Sequence, residues 1–164
     1  MGRHLGLTNC KVIWAGVSGL RYTQVLQIAN TLRQCTPKPN YLVVHFGGND
    51  LGSESCGLLR KKFKEVILGL TRLFPNTCIV YSSILPRLTW RYGSNNKVME
   101  KTRTRMNRAV IYYVHQLGHQ AIKHTDFNDK TPGLFLPDGV HLSSVGNDIF
   151  LLSIQSALER IFGC

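Results

Sequence analysis

Tyr41-Leu42-Val43-Val44-His45-Phe46-Gly47-Gly48-Asn49-Asp50 joins an almost unbroken apolar run to a turn of two glycines and two short polar residues. A run with so little alternation reads as a strand covered on both faces, as in a parallel sheet with helices above and below. The turn leaves the carboxyl end of that strand, the side on which open α/β sheets hold their ligands. Asn49 presents a side-chain amide there, a group able to donate to a developing oxyanion. Asp50 reads as an organiser of the turn, and His45 as a core histidine with its ring nitrogens satisfied.

Elements of the same kind flank this run on both sides. Residues 11–15, Lys11-Val12-Ile13-Trp14-Ala15, predict a short strand closed by Gly16 and Gly19. Over 20–32, Leu20, Val25, Ile28, Ala29 and Leu32 recur at near-helical spacing, and Pro37 and Pro39 end the segment. A helix over 56–74 places Leu59, Phe63, Val66, Ile67, Leu70 and Phe74 on one face, with Arg60, Lys61, Lys62 and Lys64 opposite. Residues 77–85 predict a strand, followed by a polar loop through Pro86, Trp90, Arg91 and Gly93. A helix over 96–117 has Val98, Thr102, Met106, Ala109, Val110, Tyr113, Val114 and Leu117 as its inner stripe, with Gly118 as its cap. A weaker strand over 120–124 and a last helix over 144–162 complete the chain. Strands alternating with helices predict one parallel sheet between two helical layers, a three-layer α/β/α domain over residues 1–164 with no repeat or linker.

The loop before the last helix carries Asp138-Gly139-Val140-His141. An Asp three residues before a His can set its carboxylate on the imidazole Nδ1–H, fixing the tautomer and leaving Nε2 as a base. Gly19, Asn49, Ser82, Ser83, Asp138 and His141 all follow strands, so they can converge on one edge of the sheet. What such a base would activate is not supplied. Ser18 lies in Gly16-Val17-Ser18-Gly19-Leu20, where a nucleophile turn of the G-x-S-x-G type needs glycine in place of Leu20. His115, His119 and His124 have no acidic partner at ligand spacing and the five cysteines form no C-x-x-C pair, so no metal site is expected. The cysteines read as reduced thiols, with Cys78 a small core residue and Cys164 open to adventitious reaction.

The chain of 164 residues is long enough to bury roughly two-thirds of its unfolded surface without disulfides or metals. No apolar run approaches the ~18 residues of a membrane span, and the first residues lack the apolar core of a secretory signal, so a cytoplasmic location is expected. The net charge of +11, from 20 Lys and Arg against 9 Asp and Glu, makes a field that attracts nucleic acid or anionic membrane. The positives gather on the helix at Arg60 to Lys64 and on the next one at Lys97, Lys101, Arg103, Arg105 and Arg108. Their plainer reading is solvated outer faces, and no RNA-recognition or zinc-finger motif accompanies them.

Taken together, these blocks resemble the SGNH (GDSL-like) hydrolases, three-layer α/β/α esterases named for a Ser, a Gly, an Asn and a His in separate blocks. Gly47-Gly48-Asn49-Asp50 matches the family's GxND block and Asp138-Gly139-Val140-His141 its DxxH block. The resemblance implies a small ester as substrate and no cofactor. It makes His141 the general base, Asp138 its orienting carboxylate, and Asn49 with the Gly19 N–H the oxyanion donors. The chain is especially similar to the multi-copy domains of fish and amphibians, some of which accompany retrotransposon reading frames. That likeness rests also on Trp14, Trp90-Arg91, the run from Arg103 to Asn107, and His141 to Phe150.

One block departs from the pattern. The strand ending in Gly-Asp-Ser that carries the family's nucleophile should precede residue 11, and Met1 to Cys10 contain no serine. The expectation is a flavodoxin-like SGNH fold lacking its first strand, truncated at the N-terminus, and inactive for want of a nucleophile. The family's strand order, 2-1-3-4-5, would put the gap between the strand at Val12 and the one at Val43, leaving a marginally stable, aggregation-prone sheet. The alternative from another class is a non-catalytic basic module that binds nucleic acid or anionic lipid through its helices.

Overall fold

The computed structural model describes residues 5–127 and 131–163, so Cys164 lies outside the described residues. Helix α1 spans Tyr22–Cys35, strand β1 Tyr41–His45, α2 Cys56–Leu73, β2 Cys78–Ser82, α3 Asn96–Gln116, β3 Gln120–Ile122 and α4 Ser144–Phe162. The strands form one parallel sheet in the order β1-β2-β3, with Val43 opposite Val80 and Tyr81 opposite Ala121.

Side-chain alternation along the strands divides the interior in two. Ile79 and Tyr81 of β2 enter the larger core with Leu59, Phe63, Ile67 and Leu70 of α2 and with Met106, Val110 and Val114 of α3. Val80, between them in sequence, points the other way, into a smaller core with Leu5, Ile122 and Ile154, Ala157 and Leu158 of α4. Strand β1 obeys the same rule, since Leu42 and Val44 pack on the first core and Val43 on the second. The result is the expected three-layer α/β/α arrangement, with α1, α2 and α3 packed into the first core and α4 into the second. Each fully buried Phe, Leu or Ile in these layers contributes about 1.5–3 kcal/mol.

Helix boundaries follow from local chemistry. Ser55, Asn95 and Ser143 cap α2, α3 and α4 by accepting from the N–H groups of Leu58, Val98 and Gly146; such caps are worth ~1 kcal/mol each. Gly118 and Gly163, at φ +75° and +74°, end α3 and α4. Val98 does not join the inner stripe of α3 and is 55% exposed, because Met99 supplies the buried face of the first turn.

The strand predicted over 11–15 is not formed. These residues have no regular secondary structure, and Ile13 and Trp14 are 50% and 55% exposed. Apolar side chains supply burial but not a ladder, and a parallel strand needs a neighbour to take its N–H and C=O groups. Among the described residues strand β1 pairs with β2 alone, so the sheet has three strands rather than the four expected. Among the described residues no helix is long and apolar enough to cross a membrane.

Candidate active site

The turn after β1 is shaped by Gly47, whose φ of +107° favours glycine and whose missing Cβ would lie 2.5 Å from the Phe63 ring. It delivers Asn49 half-buried, with the amide engaged on both ends. Asn49 Nδ2 donates to the Leu20 carbonyl at 3.0 Å, and Oδ1 accepts from both terminal nitrogens of Arg87 at 3.2 Å. The first contact ties the turn to the loop containing Gly19, an exposed residue at φ +68° with open space around its Cα.

Asp50 has no exposed surface and accepts from Arg21 Nε and from the Tyr22 N–H, each at 3.0 Å. It therefore fixes the start of α1 against the Asn49 turn, which is the organising role expected of it. Burial pushes its carboxyl above the ordinary range, and those two donors oppose the shift.

At the other end of the site, His141 Nδ1 and Asp138 Oδ2 are 2.5 Å apart. The second oxygen, Oδ1, accepts from the Val140 N–H at 2.8 Å and the His141 N–H at 2.9 Å. The carboxylate is thus held by its own loop before it meets the ring. The hydrogen bond from His141 and then those two N–H groups lower Asp138 to about 2, so it is ionised at neutral pH. With the carboxylate on Nδ1, the imidazole turns Nε2 outward, and the His141 side chain is 71% exposed. Among the described residues nothing bonds to Nε2.

Asn49 and the Asp138–His141 pair are joined through the loop after β2. Arg87 leaves that loop to grip Asn49, stacking its guanidinium 5.6 Å from the Trp90 ring centroid. The next two residues clamp the other block: Leu88 N–H donates to the Gly139 carbonyl at 2.8 Å and Thr89 Oγ1 to the Asp138 carbonyl at 2.7 Å. Gly139 sits at φ +68°, with its missing Cβ 2.8 Å from Leu88 Cβ. Burial lowers the Arg87 guanidinium, and the Asp138 charge opposes that shift.

Two residues on α3 hold this loop in turn. Asn107 is buried and pairs with the backbone of Ile84 as a strand would, accepting its N–H and donating to its carbonyl, both at 2.9 Å. Arg103, ion-paired with Glu100, adds a donor to the same carbonyl at 2.6 Å. Sequence reading gives Arg87 no role, places Arg103 among the solvated basic residues, and uses Arg103 to Asn107 only for the family likeness; none is expected there to hold the site.

Ser82 and Ser83 are buried and do not reach the pair. Ser82 Oγ lies between two imidazoles, 3.0 Å from His45 Nδ1 and 2.7 Å from His124 Nε2, and His124 Nδ1 meets Ser153 of α4 at 2.6 Å. Burial first, then His45 and Arg103, hold His124 down to about 3, so it is neutral. His45 Nδ1 meets Ser82, but the residue sits at the exposed end of β1 against Phe150 rather than inside a core as expected. Among the described residues no group of three or more His, Cys, Asp or Glu is placed to hold a metal ion.

A parallel sheet with an Asp–His pair and a glycine turn at its carboxyl edge is an arrangement of α/β hydrolases. The model of the GDSL-like lipase/acylhydrolase family matches residues 1–149, and the chain belongs to that family. It is similar in fold to a GDSL-like lipase from Bacteroides thetaiotaomicron at 18% identity and TM-score 0.70, covering 90% of this chain and 75% of that one. A structure named TesA aligns at 19% identity and TM-score 0.69, over 92% and 78% of the two chains. A Clostridium thermocellum family 3 carbohydrate esterase aligns at 18% and 0.67, over 89% and 68%. No curated protein matches the chain.

Proposed function

We propose that the domain is built to hydrolyse small carboxylic esters and that these residues supply every part of the reaction except the nucleophile. The observation that carries this reading is the Asp138–His141 pair, with a carboxylate fixed by two loop N–H groups and an outward Nε2. Family membership and the names of similar structures, a lipase and a carbohydrate esterase among them, support the substrate class.

In the complete reaction a serine hydroxyl attacks the ester carbonyl while His141 Nε2 takes its proton. Asp138 stabilises the imidazolium. Asn49 Nδ2, which has a second hydrogen beyond the one given to Leu20, and the Gly19 N–H donate to the oxyanion. His141 then returns the proton to the leaving alcohol, and water, activated by the same base, releases the acid. Arg87 holds the Asn49 oxygen, so that the donor end of the amide stays turned toward Leu20 and the loop of Gly19. No described serine bonds to His141, so on this reading residues 1–164 by themselves are inactive or nearly so, in a chain read as similar to the fish, amphibian and retrotransposon-associated domains.

The test is hydrolysis of p-nitrophenyl acetate. The chain alone should match its His141→Ala variant. Preceded by an apolar strand ending in Gly-Asp-Ser, it should gain turnover that His141→Ala abolishes. Turnover by the chain alone that depends on His141 would refute its idleness, and turnover of the extended chain indifferent to His141 would refute the base.

A further inference from the structure

Helix α3 carries a second feature, remote in kind from ester chemistry. Lys97, Lys101, Arg105 and Arg108 follow one another at intervals of four, four and three residues, and Tyr112 and His115 continue the series. That spacing keeps all six on one face of a helix, and all six are exposed. From Lys97 to His115 the row is about 27 Å long, with successive cations ~4.5–6 Å apart along the axis.

Among the described residues no carboxylate offsets it. The acidic residues of α2 and α3 are Glu65 and Glu100, which pair with Lys62 and Arg103 off the row. Among the described residues Lys97, Lys101, Arg105 and Arg108 have no acidic partner. Helix α2 packs beside α3, with Lys64 Nζ 5.1 Å from the Tyr113 ring centroid. Tyr112 is itself 65% exposed.

We propose that this face binds single-stranded nucleic acid, the cations following the phosphodiester backbone and Tyr112 stacking on a base. A row of unpaired positives with an exposed aromatic ring at one end is what such a strand requires. A membrane fits less well, because a surface helix needs an apolar face to bury in lipid. The apolar face of α3 is spent on the core through Met106, Val110 and Val114, leaving Val98 as a lone exposed apolar side chain beside the row.

The experiment is fluorescence anisotropy with a fluorescein-labelled twenty-nucleotide oligouridine across a salt series, using the full chain. Lys101→Glu/Arg105→Glu/Arg108→Glu should weaken binding at least tenfold and flatten the log–log salt slope by about 2, at ~0.7 per lost phosphate contact. Tyr112→Ala should weaken it about fivefold or more with the slope unchanged, as loss of one stacked base predicts. A control of equal charge change on other surfaces, Lys11→Glu/Lys123→Glu/Arg160→Glu, should bind within about twofold of the parent at matched salt. Glutamine in place of glutamate at 101, 105 and 108 keeps the test valid if the reversal variant fails to fold. Equal losses in control and row variants would overturn the proposal in favour of net charge alone. Row-dependent capture by phosphatidylserine vesicles without oligouridine binding would overturn it in favour of a membrane.

Discussion

Arg87 holds the side-chain oxygen of Asn49 with both terminal guanidinium nitrogens, at 3.2 Å each. The two residues lie in different loops, after β2 and after β1, and their contact decides which way the Asn49 amide faces. Arg87→Ala removes two charge-assisted bonds and strands a half-buried acceptor, an expected loss of about 1.5–3 kcal/mol. Arg87→Lys retains a single donor and should restore roughly half of that. Urea unfolding of the three proteins checks the order; equal stability of the alanine variant and the parent would show that the contact is not formed in solution.

Asn107 substitutes for a strand neighbour at the end of β2. Asn107→Ala leaves the buried Ile84 N–H without a partner, while Arg103 still serves the Ile84 carbonyl. The expected cost is about 2–3 kcal/mol, from an unsatisfied donor plus a small cavity. Chemical denaturation should show this as a lower midpoint with an unchanged slope.

His124 predicts the acid behaviour of the fold. Its folded value of about 3 lies below the ordinary imidazole value, so the folded state binds fewer protons than the unfolded state in between. Stability from this group is therefore complete above about pH 6.5 and drains away as pH falls toward 3. Asp138, lowered to about 2, adds a second loss only below about pH 4. Melting temperature should thus decline already between pH 6.5 and 4, and His124→Gln should flatten that decline. An unchanged slope in the variant would place the titrating group elsewhere.

Gly47→Ala should be costly where Gly16→Ala is not. The first combines φ +107° with a Cβ driven into Phe63, whereas the second meets nothing within 4 Å. Left-handed strain and overpacking together predict roughly 2–4 kcal/mol for Gly47 and less than about 0.5 for Gly16. Thermal melts of the pair would separate a shaped turn from a merely flexible one.

How far these features were legible varies with their range along the chain. The span of α4 and most of α2 and α3 could be read directly, because a helix satisfies its own backbone and its apolar face repeats locally. Strand β1 and its glycine turn were equally plain, and the Asp138–His141 contact needs three residues of chain and nothing else. Residues 11–15 misled for the opposite reason: their composition is that of a strand, but a strand is completed by another part of the sheet. The same limit hid His124, whose partners Ser82 and Ser153 stand 42 and 29 positions away. It also hid Arg87, which joins two blocks while belonging to neither.

Among the described residues strand β1 has β2 on one side and no strand on the other. An edge of that kind makes stability a matter of molecularity as well as of sequence, since any extended segment that adds to it lowers the free energy of the folded form. Dilution should then act on this protein as a mild denaturant does on others. Its melting point becomes a property of the solution it shares with other chains.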